Sequence, residues 1–223
     1  MASVTEIWRY PVKSMAGERL ESCLVTADGL EGDRRWALID WSPNRAGKWF
    51  NIKQHSALMT YRSRLVDGTV EVLAPDGSSV RLDGDLVGRF EAESSRPLEL
   101  RDLAGGNFDD SQVLIVNLAS VEAFALEAGM PIDHRRFRAN FYLDGLEPDE
   151  ELSWLGRRLR VGDAALEVTS RCERCKVITM DPDTTEATPE LLRLLVDRHD
   201  ERFGMYCRVV RPGRVAVGDF VGV

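Results

Sequence analysis

The chain has 223 residues, with 29 lysines and arginines against 37 aspartates and glutamates, a formal net charge of −8. Hydrophobic residues make up 43% and charged residues 30%, a balance that excludes both a disordered chain and a membrane-spanning one. Such an acidic chain is not a general nucleic-acid binder, although a local basic pocket remains open to it.

The first ten residues hold neither a long apolar run nor a small-residue cleavage site. No export signal and no membrane partner are therefore expected, and a cytoplasmic location follows. Four cysteines are too few for a disulfide scaffold. In a reducing compartment they are expected as free thiols, and a close pair then suggests a metal or redox role.

In chain order, residues 4–10 are β-branched and aromatic and stop at Pro11, which reads as a strand. Residues 35–40 form another candidate. Val70 and Val72 alternate with polar residues, Pro75-Asp76-Gly77 is a turn triplet, and Val80 and Leu82 resume the alternation, so a hairpin is predicted. The first hundred residues thus read as short strands and turns. Residues 101–112 read as loop, and 113–116 as a buried strand. A helix is expected over 118–128, capped by Asn117 or Ser120 and ended by Gly129. A second helix is expected from Thr188, with Pro189 at its first position, through about Arg198. Residues 160–180 and 206–221 read as strands, with 177–180 continuing the strand before them. The fold class is mainly β (α+β). A barrel or tightly curled sheet is the expected architecture, because many short strands must hide their edges.

The most informative segment is Arg171-Cys172-Glu173-Arg174-Cys175. Neighbouring positive charge favours thiolate, a soft metal ligand and a nucleophile. Three readings of the pair stand side by side. It is half of a zinc knuckle, but Cys23, Cys207, His55, His134 and His199 are too scattered to supply the other half. It is a redox pair, but without the usual strand-to-helix setting. Or it ligates a softer metal.

Tyr10-Pro11-Val12-Lys13-Ser14, then Gly29-Leu30-Glu31-Gly32-Asp33-Arg34-Arg35-Trp36, Arg136-Phe137-Arg138-Ala139-Asn140, Arg171 to Cys175 with Asp181-Pro182-Asp183-Thr184, and Gly213 to Asp219 occur in this order. The ordered set resembles the MOSC family, in the branch with a MOSC N-terminal β-barrel segment that includes the mitochondrial amidoxime-reducing component and its bacterial relatives. The resemblance implies a MOSC-type β-barrel with a β-barrel-like N-terminal segment and a few peripheral helices. A nominal boundary falls near Arg96, giving residues 1–95 and 96–223. The resemblance also implies a molybdenum cofactor, a molybdenum dithiolene on a phosphorylated pterin. Cys175 is the implied metal ligand and catalytic residue, with Cys172 the runner-up and a cofactor contact. Lys13, Ser14, Arg34, Arg138 and Asn140 are implied cofactor contacts, together with Arg171 and Ser111. Ala139 stands where the family often has proline.

The chemistry of these residues suits such a ligand. Lysine offers a point charge and arginine a bidentate fork for a phosphate, and Ser14 and Asn140 add neutral donors. Asp181 and Asp183 read as turn formers or as a pair that coordinates a cation or positions a loop near the metal, and His55 as structural or a proton donor. Cys23 and Cys207 read as inert buried thiols, and Trp8, Trp36, Trp49 and Trp154 as packing residues. The implied activity is a molybdenum-dependent reductase of small N-hydroxylated or N-oxide substrates. Because a ferredoxin-type Cys-x4-Cys-x2-Cys spacing is absent, its electrons are expected from separate partners, a flavoprotein reductase and a ferredoxin- or cytochrome-like carrier. The alternative is a carrier of molybdenum cofactor, or of persulfide sulfur, without turnover. A zinc-stabilised module is the third reading.

Overall fold

The computed structural model describes residues 1–223. Its main feature is an eight-stranded sheet in the spatial order Val221–Gly222, Arg158–Val161, Ala164–Glu173, Arg202–Arg211, Val113–Asn117, Phe141–Asp144, Ser3–Arg9 and Glu18–Leu20. Ser3 also bridges Phe220 beside the far edge strand, and the amide of Val221 donates to the carbonyl of Ala2 at 2.9 Å. The sheet therefore curls onto itself, its Val221–Gly222 edge meeting the start of Ser3–Arg9. Val113–Asn117 and Phe141–Asp144 run parallel, which requires a crossover connection, and a helix is part of it.

That helix is the second of three: α1, Gly84–Ser94; α2, Leu118–Ala128; and α3, Glu190–His199. The side chain of Asn117 accepts from the amide of Ala119, and Gly129 closes α2 in the left-handed conformation, as its sequence predicts. Pro189 caps α3, within a residue or two of the predicted start. The expectation of strands alone in the first hundred residues fails at α1. Asp83 caps this helix, and Leu86 and Phe90, four residues apart on one face, are fully buried. The expected strand over 177–180 fails too, because Lys176–Thr179 forms a 3-10 turn.

The predicted hairpin is present, with Thr69–Leu73 paired to Ser79–Arg81 and, on its other side, to Arg62–Val66. Trp36–Asp40 pairs with Leu98–Asp102, so hydrogen bonds cross residue 96. Ser22–Thr26 likewise pairs with Gly213–Ala216. Three apolar clusters hold these layers together. Val113 and Ile115 face the barrel interior with Ile7, Phe141, Val168 and Met205. Leu114 and Val116 face the opposite side, under α2 and α3, with Phe124, Phe137 and Leu195. This two-sided burial explains the unbroken apolar run over 113–116. Val12, Trp36, Phe50 and Phe90 centre the third cluster, in the N-terminal half. No helix is long and apolar enough to cross a membrane.

Candidate functional site

A cavity of about 300 Å³ lies where the N-terminal half meets the barrel. Its lining includes eight sequence-selected residues: Lys13, Ser14, Arg34, Ser111, Arg138, Asn140, Cys172 and Cys175. Several arrive on segments fixed by backbone hydrogen bonds. The amide of Lys13 donates to the Trp36 carbonyl at 2.7 Å and that of Arg34 to the Tyr10 carbonyl at 2.8 Å. Arg138 ends a 3-10 turn, His134–Phe137, whose first residue is capped by Asp133. The amide of Asn140 donates to the Leu114 carbonyl at 2.8 Å.

Ser14, Arg34 and Arg138 have φ of 75°, 50° and 54°. None is glycine or asparagine, so each holds a left-handed conformation at a cost of order 1–2 kcal/mol. Strain of this kind clusters at ligand sites.

The charges are arranged around one aromatic ring. The guanidinium carbons of Arg34 and Arg138 lie 4.7 and 4.5 Å from the Tyr10 ring centroid. Asp33 pairs with Arg34, accepts from the Tyr10 amide at 2.7 Å and accepts from the Asn140 side chain at 3.0 Å. Asn140 also donates to the Trp8 carbonyl at 3.2 Å and accepts from the Leu114 amide at 3.1 Å. Its amide is thus engaged by the protein, and it orders Asp33 and Arg34 rather than offering a free donor. Arg138 forms no ion pair; its one hydrogen bond goes to the Met15 carbonyl at 2.7 Å. Burial lowers its pKa and the neighbouring Arg34 charge adds to that, against the opposing pull of Tyr10. Burial is the largest influence on Arg34 and works against its charge, but Asp33 and Tyr10 together reverse it and the net direction is up. Burial raises the Tyr10 hydroxyl to about 12, against both arginines, so the ring stays neutral.

Lys13 is buried with its ammonium 4.0 Å from the Trp49 ring centroid. It donates to the Asn107 carbonyl at 2.8 Å and pairs with the exposed Asp109 at 3.0 Å. Burial lowers its pKa and Asp109 opposes that. Trp49, read from sequence as a packing residue, packs against Lys13 and is not itself among the residues that line the cavity. Ser111 donates to Asp110 at 3.0 Å at the cavity rim.

The two cysteines differ in environment. Cys172 is buried at 1% exposure and its sulfur accepts from Nη1 of Arg174 at 2.9 Å. Cys175 is half-buried, in its own position at the start of the 3-10 turn. Arg174 also donates to the Phe137 carbonyl at 2.8 Å, while its Nε is buried without a partner. Burial opposes its charge, but Cys172 raises its pKa overall. Burial and Cys172 push the Tyr206 hydroxyl up as well.

Arg171 is not brought into this cavity. It borders a separate depression, donates to the His199 carbonyl at 3.2 Å and pairs with Asp200 at 3.6 Å. Arg174 takes the place expected of it. Strand alternation was the signal available, since residues 172 and 174 share a face while 171 takes the other. His55 pairs with Glu93 at 2.9 Å and stacks on Phe50, outside the cavity. Asp181 accepts from the amides of Asp183 and Thr184 and organises its turn. Cys23 and Cys207 are buried, and burial raises Cys23 to about 12 and Cys207 further still.

The donor set fits a phosphorylated, sulfur-seeking metal cofactor. Lys13, Arg34, Lys53, Arg138 and Arg174 line the cavity against only Asp109 and Glu173, so its lining is cationic in an acidic chain. An accessible thiol stands at one side and an unpartnered buried guanidinium Nε beside it. No group of three or more His, Cys, Asp or Glu side chains gathers in the fold, which does not fit the four-ligand cage of structural zinc.

Comparison with known proteins shows the family. Residues 101–222 match the MOSC domain and residues 1–115 the MOSC N-terminal beta barrel domain. A molybdenum cofactor sulfurase from Drosophila mojavensis is 27% identical over 88% of this chain and 30% of its own length. One from Caenorhabditis elegans is 26% identical over 92% of the chain and 33% of its own length. The chain thus spans about a third of these curated relatives. The crystal structure of the YUAD protein from Bacillus subtilis superposes with a TM-score of 0.54 at 19% identity, covering 99% of this chain and 94% of that one, a likeness of fold.

Proposed function

Because this chain belongs to the MOSC family, we propose that the cavity beside Cys175 holds a molybdenum dithiolene on a phosphorylated pterin, and that the protein reduces small N-hydroxylated or N-oxide compounds. The observation that carries this reading is the combination of a cationic, strained pocket with one accessible thiol. When bound, the cofactor supplies two-electron oxygen-atom chemistry. The residues of the chain hold and orient it. Cys175 offers a soft thiolate ligand. Lys13, Arg34 and Arg138 meet the phosphate dianion, for which Arg138 needs to break no ion pair and Lys13 only an exposed one with Asp109. Ser14 and Ser111 add hydroxyl donors. Arg174 holds Cys172 in the wall and leaves Cys175 as the accessible sulfur. Tyr10, neutral and buried, fixes the two guanidinium groups.

The balanced reaction cleaves the N–O bond of the substrate, consumes two electrons and two protons, and releases water and the reduced base. A separate flavoprotein and small carrier supply the electrons, through a transient encounter. A cytoplasmic setting suits the free thiols.

The sulfurase relatives favour a second reading, in which the chain carries cofactor or persulfide sulfur without turnover. The assay that separates the two is anaerobic turnover of an N-hydroxylated amidine with a reduced viologen as electron donor. The reductase reading predicts two electrons consumed per substrate and no activity in Cys175→Ser. Fully loaded protein that does not turn over would establish the carrier.

A further inference from the structure

A second cleft lies apart from the cavity that holds the cysteines. This cleft, of about 500 Å³, opens on the other side of Tyr10, between the hairpin turn at Pro75 and the loop at Pro182. It shares only Tyr10's neighbour Arg138 with the cysteine-bearing cavity.

The cleft combines a flat apolar wall with under-compensated positive charge. Trp8 and Tyr10 stack with centroids 6.4 Å apart and planes at 21°, and Pro75 and Pro182 face the same space. Its one lining acid, Asp183, is already paired with Arg135 at 2.6 Å. Arg62 reaches Asp183 only at 3.8 Å, and Arg19 reaches Glu6 only at 4.0 Å. Arg138 has no carboxylate partner, so three guanidinium groups stand weakly paired or unpaired around one cleft. Guanidinium forks match phosphate geometry, and two or three of them suit a dianion better than a single carboxylate. Aromatic and proline faces suit a planar ring.

We propose that this cleft is a second ligand site, specific for an aromatic phosphate ester whose phosphate meets Arg19 and Arg62 and whose ring lies along the Trp8 wall. The volume falls in the range of small-molecule sites. The site is independent of what occupies the cysteine-bearing cavity, because Arg19, Arg62 and Trp8 line this cleft alone.

The test is calorimetric titration of the full chain with adenosine 5′-monophosphate and with phenyl phosphate, with inorganic phosphate as a third arm. At least one ester is expected to bind saturably and more tightly than inorganic phosphate. The double variant Arg19→Gln/Arg62→Gln should weaken it about tenfold or more. Both side chains are mostly exposed, at 53% and 68%, so folding is expected to survive; circular dichroism checks it. Lys13→Met, which alters only the other cavity, should leave ester binding intact. The proposal is overturned if neither ester binds, if inorganic phosphate binds as tightly, or if Lys13→Met abolishes binding that the double variant retains.

Discussion

Replacing Arg138 by methionine separates ligand binding from stability in a way the structure makes quantitative. Arg34 and Arg138 lie 4.7 and 4.5 Å from one ring centroid, so their charges are at most about 9 Å apart. At an effective dielectric near 20 that is a repulsion of roughly 2 kcal/mol, partly offset by Asp33 beside Arg34, and the variant relieves the remainder together with the cost of burying the guanidinium. Against this, it loses a charged hydrogen bond to the Met15 carbonyl, worth about 1.5 kcal/mol, and a cation–π contact of about 0.5–1 kcal/mol. Methionine keeps most of the apolar stem. The changes nearly cancel, so unfolding free energy shifts by less than about 1 kcal/mol, or within about 4 °C in Tm for a chain of this size. Phosphate binding should fall about tenfold to a hundredfold, through loss of a charge-assisted contact. Scanning calorimetry in phosphate-free buffer and titration with inorganic phosphate measure the two effects. A Tm drop beyond about 8 °C would mean that Arg138 serves the fold, and unchanged phosphate affinity would refute its role as an anion receptor.

Other consequences follow from the same geometry. Ser14→Gly removes a left-handed strain of about 1–2 kcal/mol and adds unfolded-chain entropy of about 0.4–1 kcal/mol. Urea unfolding should therefore show a gain of roughly 0.5–1 kcal/mol, and a loss would contradict the strain argument. Asp40 is wholly buried, where burial alone would raise its pKa, but hydrogen bonds from Ser42 and the Arg96 charge lower it to about 2. Its stabilisation, roughly 2 kcal/mol, is present above about pH 4 and lost as the pH falls toward 2. Asp40→Asn should lack that part of the acid slope in urea melts, and an unchanged slope would reject it. Glu151 has the opposite sign: burial raises its pKa against hydrogen bonds from Asn117 and Ser120. Its contribution declines as pH rises from the ordinary carboxylate range through the raised folded value, so Glu151→Gln should flatten the stability loss over that rise, a change absent if the side chain titrates normally.

The barrel was legible because its strands alternate or run fully apolar, and α2 because Asn117 and Gly129 bracket it. The helix α1 was not, because only Leu86 and Phe90 mark its buried face and Gly88 interrupts it. Most of the cavity lining was legible as short segments in a particular order, since each carries its side chains on a local turn. What the sequence could not display were contacts between distant segments. Trp49 under Lys13 joins residues 36 positions apart, and Tyr10 gathers two arginines more than a hundred positions apart. Arg171, and not Arg174, was expected at the cofactor. The strand through Glu173 distinguishes them, sending Cys172 inward and Arg171 toward Asp200.

The most direct measurement is the molybdenum and pterin content of protein purified from a host that makes molybdenum cofactor, for the wild type, Cys172→Ser and Cys175→Ser. Near-stoichiometric molybdenum and pterin in the wild type and Cys172→Ser, with molybdenum lost in Cys175→Ser, is the predicted result. Zinc in place of molybdenum, or molybdenum retained in Cys175→Ser and lost in Cys172→Ser, would contradict the assignment of Cys175 as the ligand.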